Sequence, residues 1–223
     1  MHTLTEEHDS KRSFPLISAR MLTCIREERL LFDQLSLQVN AGDIVQVEGT
    51  NGSGKTSLLR ILSGLSQPYD GDVFYRDEKI SQCREAFQQN LLYIGHLAGV
   101  KDDMTAQENL NFRLALHGNK TDNSMDHLAQ VKLMGFEDSL ACHLSAGQQR
   151  RIALANLYQS RALIWVVDEP FTAIDKEGVA RLEQLFIQHT QRGGCVILTT
   201  HQELISIDVS AIKKINLDIH YDK

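Results

Sequence analysis

The chain has little of what staples, anchors or exports a protein. Its four cysteines, Cys24, Cys83, Cys142 and Cys195, are widely scattered, and no two sit at C-x-x-C spacing. That excludes a close-spaced thiol metal or dithiol motif and fits a reducing compartment. Positive charge is not in excess: 23 Lys and Arg stand against 29 Asp and Glu, a formal net charge of −6. No basic field therefore points to nucleic acid, or to an anionic lipid surface bound by charge alone. Long apolar runs are missing too. The stretch Ala162 to Val167 is far short of the roughly 20 residues that span a bilayer. The opening "MHTLTEEHDSKRSF" is polar and acidic, where a signal peptide would be basic and then apolar. There is no internal repeat and no low-complexity tract. What remains, 42% hydrophobic and 23% charged over 223 residues, is ordinary globular composition, long enough to bury a core.

Residues 1–15 read as a disordered leader, because they cannot cover an apolar face, and 16–223 as one continuous domain. "LSLQV" (35–39) and "IVQVE" (44–48) flank Asn40-Ala41-Gly42-Asp43, a strand, turn, strand signal. After Gly54 the period becomes helical, with Leu58, Leu59, Ile61 and Leu62 on one side until Gly64 and Pro68 end it. "GDVFY" and "LLYIG" read as strands. Thr105 with Glu108 three residues on forms a capping-box start for a helix to about Leu116, and a second amphipathic segment covers about 126–134. The last third alternates: helix 147–158, buried strand 162–167, helix 176–191, buried strand 195–199. This alternation predicts an α/β fold with a mostly parallel core sheet, an antiparallel β edge and a helical insertion lobe at about 96–158.

"GTNGSGKTS", from Gly49 through Thr50, Asn51, Gly52, Ser53, Gly54, Lys55 and Thr56 to Ser57, satisfies G-x-x-x-x-G-K-[ST] between a predicted strand and a predicted helix, the setting a P-loop requires. Glycines let such a loop wrap so that backbone N–H groups point inward at phosphate. Lys55 then reaches the terminal phosphates and Thr56 ligates Mg²⁺. "RALIWVVDEP" supplies the acidic partner. Asp168 and Glu169 emerge at the carboxyl end of a buried strand, the edge where open α/β sheets bind ligands. Asp168 is the candidate to hold Mg²⁺, and Glu169 to take a proton from attacking water. His201 follows "CVILTT" at the same edge and is placed to contact the γ-phosphate or hold that water. Farther along, Ser145 with Gln148 three residues on in "HLSAGQQRR" forms another capping box.

The motifs "GTNGSGKTS", "LSAGQ", "VVDEP", "TAID" and "TTH" in this order resemble the ATP-binding subunits of ABC transporters, and the likeness covers the chain from about Ala19 to its end. Within that family the wording "EGTNGSGKTSLLR", "LLYIGHLAGVK", "MTAQENLNF", "LSAGQQRRIALA" and "DEPFTAID" is similar to the ATP-binding subunits of cytochrome c maturation systems. Ala146 in place of the second glycine of LSGGQ, His96 in place of the usual glutamine after "LLYIG", and Arg26 where an adenine-stacking aromatic is common all support that subgroup.

The resemblance implies an ATPase working with ATP and Mg²⁺ as a head-to-tail homodimer. Ser145, Gly147 and Gln148 of one copy would meet the γ-phosphate held by the P-loop of the other, and Asp175 would lie on the loop that communicates between them. It places His96 beside Thr56 and Asp168 in the metal's surroundings. It also implies integral membrane subunits of a cytochrome c maturation complex at the cytoplasmic face of an inner membrane, docked near residues 96–105, where Leu97, Val100 and Met104 offer apolar contacts. Heme would be handled only indirectly, as export or as release from a periplasmic carrier, since the chain has no C-x-x-C-H and no paired axial histidines. Two alternatives stay open: the ATPase of another transporter or of a soluble ABC protein, and an assembly module in which ATP closes the dimer and turnover is incidental. If the Arg26 guanidinium stacks on adenine, Arg26→Ala weakens ATP binding by about 2–5-fold, the size of an exposed cation–π contact; unchanged affinity in a titration removes Arg26 from the site.

Overall fold

The computed structural model describes residues 14–218. The leader expected over 1–15 lies outside the described residues except for Phe14 and Pro15. Five parallel strands make the central sheet, in the order β6 (Leu91–Ile94), β7 (Ile164–Asp168), β8 (Cys195–Thr199), β3 (Ile44–Glu48), β9 (Ile212–Asn216). Along these strands side chains alternate between faces. Val45, Val47, Ile164, Val166, Cys195 and Ile197 pack into one core, and Ile44, Trp165, Val167, Val196 and Leu198 into another. Such strands, β7 and β8 buried at every position, read as continuous apolar runs because both faces are covered.

On the first face lies α1 (Lys55–Leu62), whose Leu58, Leu59, Ile61 and Leu62 are all buried, with Phe87 of the short α2 (Arg84–Gln89) in the same core. Above it a second sheet, antiparallel, runs β2 (Arg29–Val39), β1 (Ile17–Arg26), β4 (Asp70–Tyr75), β5 (Glu78–Lys79), so α1 is sandwiched between two sheets. The antiparallel strands are thus a sheet of their own rather than an edge of the parallel one. For the same reason the strand, turn, strand signal at 35–48 is not a hairpin. β2 pairs with β1, β3 pairs with β8 and β9, and the turn between them is tied to the start of β8 by Gly42 N–H donating to the Gly194 carbonyl at 2.8 Å.

The other face is covered by α6 (Lys176–Gln191) through Val179, Leu182 and Phe186, with Leu154 and Leu157 beside them. A third core holds the helical lobe together. Leu110 and Leu114 of α3 (Ala106–Leu116), Leu128 of α4 (Ser124–Gln130) and Ile152 of α5 (Ala146–Ala155) meet there. Both predicted capping boxes are formed, at Thr105–Glu108 and Ser145–Gln148. The helix expected over 147–158 stops at Ala155 and continues as a 3₁₀ turn to Tyr158.

At the end of α6, His189 stacks on Trp165 with ring centroids 3.7 Å apart and 5° between planes, and its Nε2 lies 3.1 Å from the Leu163 carbonyl. Burial lowers its pKa from the ordinary 6.5 to about 4. The neutral ring is the folded form, so the unfolded chain binds more protons between those values and stability falls as pH is lowered through that window. Denaturant unfolding from pH 7.5 to pH 4.5 is expected to show this slope reduced in His189→Phe, which keeps a stacking ring and does not titrate; an unchanged slope contradicts it.

Candidate functional site

The order β7, β8, β3 brings three strand ends to one sheet edge. β3 leads directly into the P-loop. Gly49, Gly52 and Gly54 carry φ values of 149°, 85° and 99°, a region costly for residues with a Cβ. At Gly49 an added Cβ would stand 2.5 Å from Ser53 Oγ, so the loop closes on itself only with glycine there. The loop's own lysine fills its mouth: Lys55 Nζ donates to the Gly49 carbonyl at 2.7 Å and the Thr50 carbonyl at 3.1 Å. From behind, Asp218 accepts from Thr50 N–H and Oγ1 at 3.0 Å, pinning the loop to the end of β9.

The neighbouring strands carry the acids. Asp168, 2% exposed, ends β7 opposite Thr199 of β8. Thr56 Oγ1 donates to its Oδ2 at 2.8 Å, and Thr199 Oγ1 donates to its Oδ1 at 2.6 Å. Glu169 then turns the chain with φ 51°, and its N–H donates to the same Thr199 Oγ1 at 2.9 Å. Glu169 Oε1 is buried and makes no hydrogen bond among the described residues. His201 Nε2 stands 3.4 Å from it on a side chain 60% exposed. A buried carboxylate oxygen without a donor is costly unless a proton, water or ligand completes it.

Arg26, Asn51, Gly52, Gly54, Lys55, Thr56, Ser57, His96, Asp168, Glu169 and His201 line one cleft of about 450 Å³. Of the remaining loop residues, Gly49 lines an adjoining cavity of about 540 Å³ together with Lys55 and His201, while Ser53 is buried beneath the loop. His96 faces the cleft, yet among the described residues no three His, Cys, Asp or Glu side chains cluster as metal ligands.

Ser145, Gly147, Gln148 and Asp175 do not line this cleft. Ser145 and Gln148 are engaged in their capping box, Ser145 N–H donating to Gln148 Oε1 at 2.9 Å. A Cβ on Gly147 would stand 3.2 Å from the Ala173 Cβ, so the start of α5 abuts the "FTAID" loop. Asp175 caps α6 by accepting from Gly178 N–H at 3.0 Å, and its other oxygen takes Lys132 Nζ at 2.7 Å. The Lys132 bond holds its carboxyl below the usual range.

Sequence reading missed Thr199, whose value lies in the pairing of β7 with β8, and Asp218, 168 residues from its partner. It also missed Glu183 of α6, which is fully buried and accepts from the Ile205 and Ser206 N–H groups at 2.8 and 2.6 Å, anchoring the loop that follows His201. No local pattern marks any of the three.

Comparisons with known proteins show the family. The ABC transporter family matches residues 32–172. The chain is 74% identical over 212 residues, 95% of its length and 97% of the relative's, to the cytochrome c biogenesis ATP-binding export protein CcmA of Colwellia psychrerythraea. It is 60% identical to the protein of that name from Shewanella frigidimarina, over 95% of this chain and 98% of the relative. Among solved structures, a putative ABC transporter ATP-binding protein from Pyrococcus furiosus superposes with a TM-score of 0.76 at 23% identity, covering 92% of this chain and 98% of that one. A dimeric ATP-binding cassette in a post-hydrolysis state with ADP and Pi gives 0.76 at 21% identity, over 90% and 94%.

Removing the hydroxyl that joins the two acids tests the site directly. Thr199→Val keeps shape and burial, and is expected to lower nucleotide turnover by about 10–100-fold, as loss of a supporting hydrogen bond does at metal sites. Turnover equal to wild type contradicts that role.

Proposed function

The chain belongs to the ABC transporter family, among its cytochrome c biogenesis ATP-binding export proteins, and from that membership we propose how its residues hydrolyse ATP and whom they serve. The observation that carries the reading is the buried Oε1 of Glu169, which makes no hydrogen bond among the described residues and lines the same cleft as the P-loop lysine. Its neighbour His201 Nε2 stands at 3.4 Å, which leaves the oxygen free to accept a hydrogen bond from a water.

Lys55 exchanges its two loop carbonyls for the β- and γ-phosphate oxygens of ATP, a swap of weak acceptors for charged ones. Loop N–H groups from Asn51 to Ser57 and the start of α1 complete the cradle. Arg26 covers the adenine. The Thr56 and Asp168 oxygens, 2.8 Å apart, suit a hard cation: they would hold Mg²⁺, with His96 in its surroundings, and the ion would supply neutralisation of phosphate charge. Glu169 Oε1 takes the proton of the attacking water as its oxygen bonds to the γ-phosphorus and the bond to ADP breaks, giving ADP and phosphate. His201 orients that water or the γ-phosphate from the open side. Catalysis of this kind is positioning and charge stabilisation more than covalent chemistry.

Two copies are needed, because Ser145, Gly147 and Gln148 lie outside the cleft of their own chain. In a head-to-tail homodimer they close over the nucleotide of the other copy, and the Asp175 loop lies between the two sites. Two solved ATP-binding cassettes of the same fold are dimeric, which supports a dimer. Among the described residues no helix is long and apolar enough to cross a membrane. The relatives' cytochrome c biogenesis export name supports integral membrane subunits of a cytochrome c maturation complex as the partners that receive the motion, on the cytoplasmic side of the inner membrane. Leu97, 83% exposed, offers the apolar contact for them, while Val100 is engaged with the core of the helical lobe. The process served is heme handling for c-type cytochromes.

Turnover of membrane-extracted protein is expected to fall by about 10²–10⁴-fold in Glu169→Gln, the usual share of a general base, with ATP still bound and cytochrome-maturation membrane subunits co-purifying. Full turnover in the variant contradicts the role of Glu169, and recovery with other partners contradicts the cytochrome assignment.

A further inference from the structure

Arg150 lies on α5, five residues after Ser145, and is 5% exposed. Among the described residues neither of its terminal nitrogens bonds a carboxylate. One donates to the carbonyl of Gly95 and the other to the carbonyl of Asp168. A guanidinium buried against two main-chain carbonyls is expensive. Burial pulls its pKa down, while the nearby charges of Asp168 and Glu169 oppose that. The acids of the cleft are therefore its counter-charges as well.

The two carbonyls are informative. That of Asp168 belongs to the peptide whose N–H, on Glu169, is held by Thr199. This peptide is gripped at both ends, from α5 and from β8, at the residue whose φ of 51° is unfavourable for a side chain with a Cβ. The carbonyl of Gly95 immediately precedes His96. Three residues on, Arg113 of α3 donates to the Ala98 carbonyl, so the His96–Leu97 segment hangs between two guanidiniums of the helical lobe.

We propose that Arg150 is a positioning residue that links the two nucleotide sites of the dimer: it fixes the Glu169 turn of its own chain to the helix whose start, Ser145, closes on the nucleotide of the other. The inference rests on the ATPase reading above. When α5 moves to engage the partner's nucleotide, the guanidinium moves with it and carries both the Asp168–Glu169 peptide and the backbone ahead of His96. Each copy thus sets its own water-activating carboxylate according to what its Ser145 touches. Thr199 alone, on a strand buried on both faces, holds the peptide but cannot transmit this motion.

The test uses the membrane-extracted complex with ATP as substrate, comparing wild type with Arg150→Gln and Arg150→Lys. Gln cannot span two carbonyls, and a Lys ammonium lacks the planar fork that reaches both. Each variant is expected to lower kcat by about 10–100-fold with the KM for ATP within about 3-fold of wild type, and to bring the ATP dependence of the rate to a Hill coefficient near 1 from a higher wild-type value. A purely structural role would instead lower the fraction of active protein and leave the Hill coefficient of the remainder unchanged. Either folded variant with wild-type kcat and cooperativity overturns the proposal, as does loss that tracks loss of folded protein alone. Should Arg150→Gln fail to fold, Arg150→Lys decides. If wild type shows no turnover, the ATPase reading fails rather than this inference.

Discussion

One hydroxyl organises the site. Thr199 Oγ1 donates to Asp168 and accepts from the Glu169 N–H, so a single atom fixes the direction of one carboxylate and the backbone turn that aims the next. It can do so because β7 and β8 are parallel neighbours with Asp168 directly opposite Thr199, and because β3 on the far side of β8 delivers the P-loop to the same edge. The register of three strands thus sets how Lys55, Asp168 and Glu169 stand to one another in the cleft. Burial of the sheet on both faces protects that register. A slip of one residue would turn each strand's side chains to the opposite face, moving Val45 and Ile197 out of the α1 core together with the acids out of the cleft.

What could be read in the sequence is what depends on local chemistry. The P-loop, both capping boxes, α6 and β8 follow from glycine positions, cap residues and periodicity, and the structure places α6 and β8 at the predicted bounds. Arg26, the P-loop, His96, Asp168, Glu169 and His201 come together in one cleft. What depends on pairing across the chain was not legible. β1 and β9 have no distinctive pattern, and β1 is interrupted by bulges. The 35–48 segment has the signs of a hairpin, yet its two strands serve different sheets because β3 is apolar enough to be buried on both faces. Arg150 was hidden for a related reason: in "QQRR" it looks like an exposed helix arginine, and only the approach of α5 to β7 makes it a buried one.

The helical lobe is joined to the nucleotide edge by cations. Arg150 and Arg113 hold the backbone around His96 from α5 and α3, and Lys132 holds Asp175 and Glu177 at the start of α6 at 2.7 and 2.6 Å. The buried contacts act at short range in a low-dielectric setting, whereas the exposed Lys132 pairs are screened by salt and contribute little on their own. The lobe fastened at these points carries both Ser145, at the start of α5, and the exposed Leu97. In the proposed dimer that lobe would connect a neighbour's nucleotide, the chain's own Glu169 and the exposed Leu97.

In the proposed dimer each nucleotide site is built from two copies, one giving the P-loop and acids, the other the start of α5. The most direct measurement mixes Lys55→Ala protein, whose P-loop is disabled, with Ser145→Arg protein, whose helix start is blocked. Each alone is predicted to lack ATP turnover, whereas in a mixed dimer the intact P-loop of one copy faces the intact Ser145 of the other and turnover returns. Mixed dimers that form and stay as inactive as either variant alone would contradict the account.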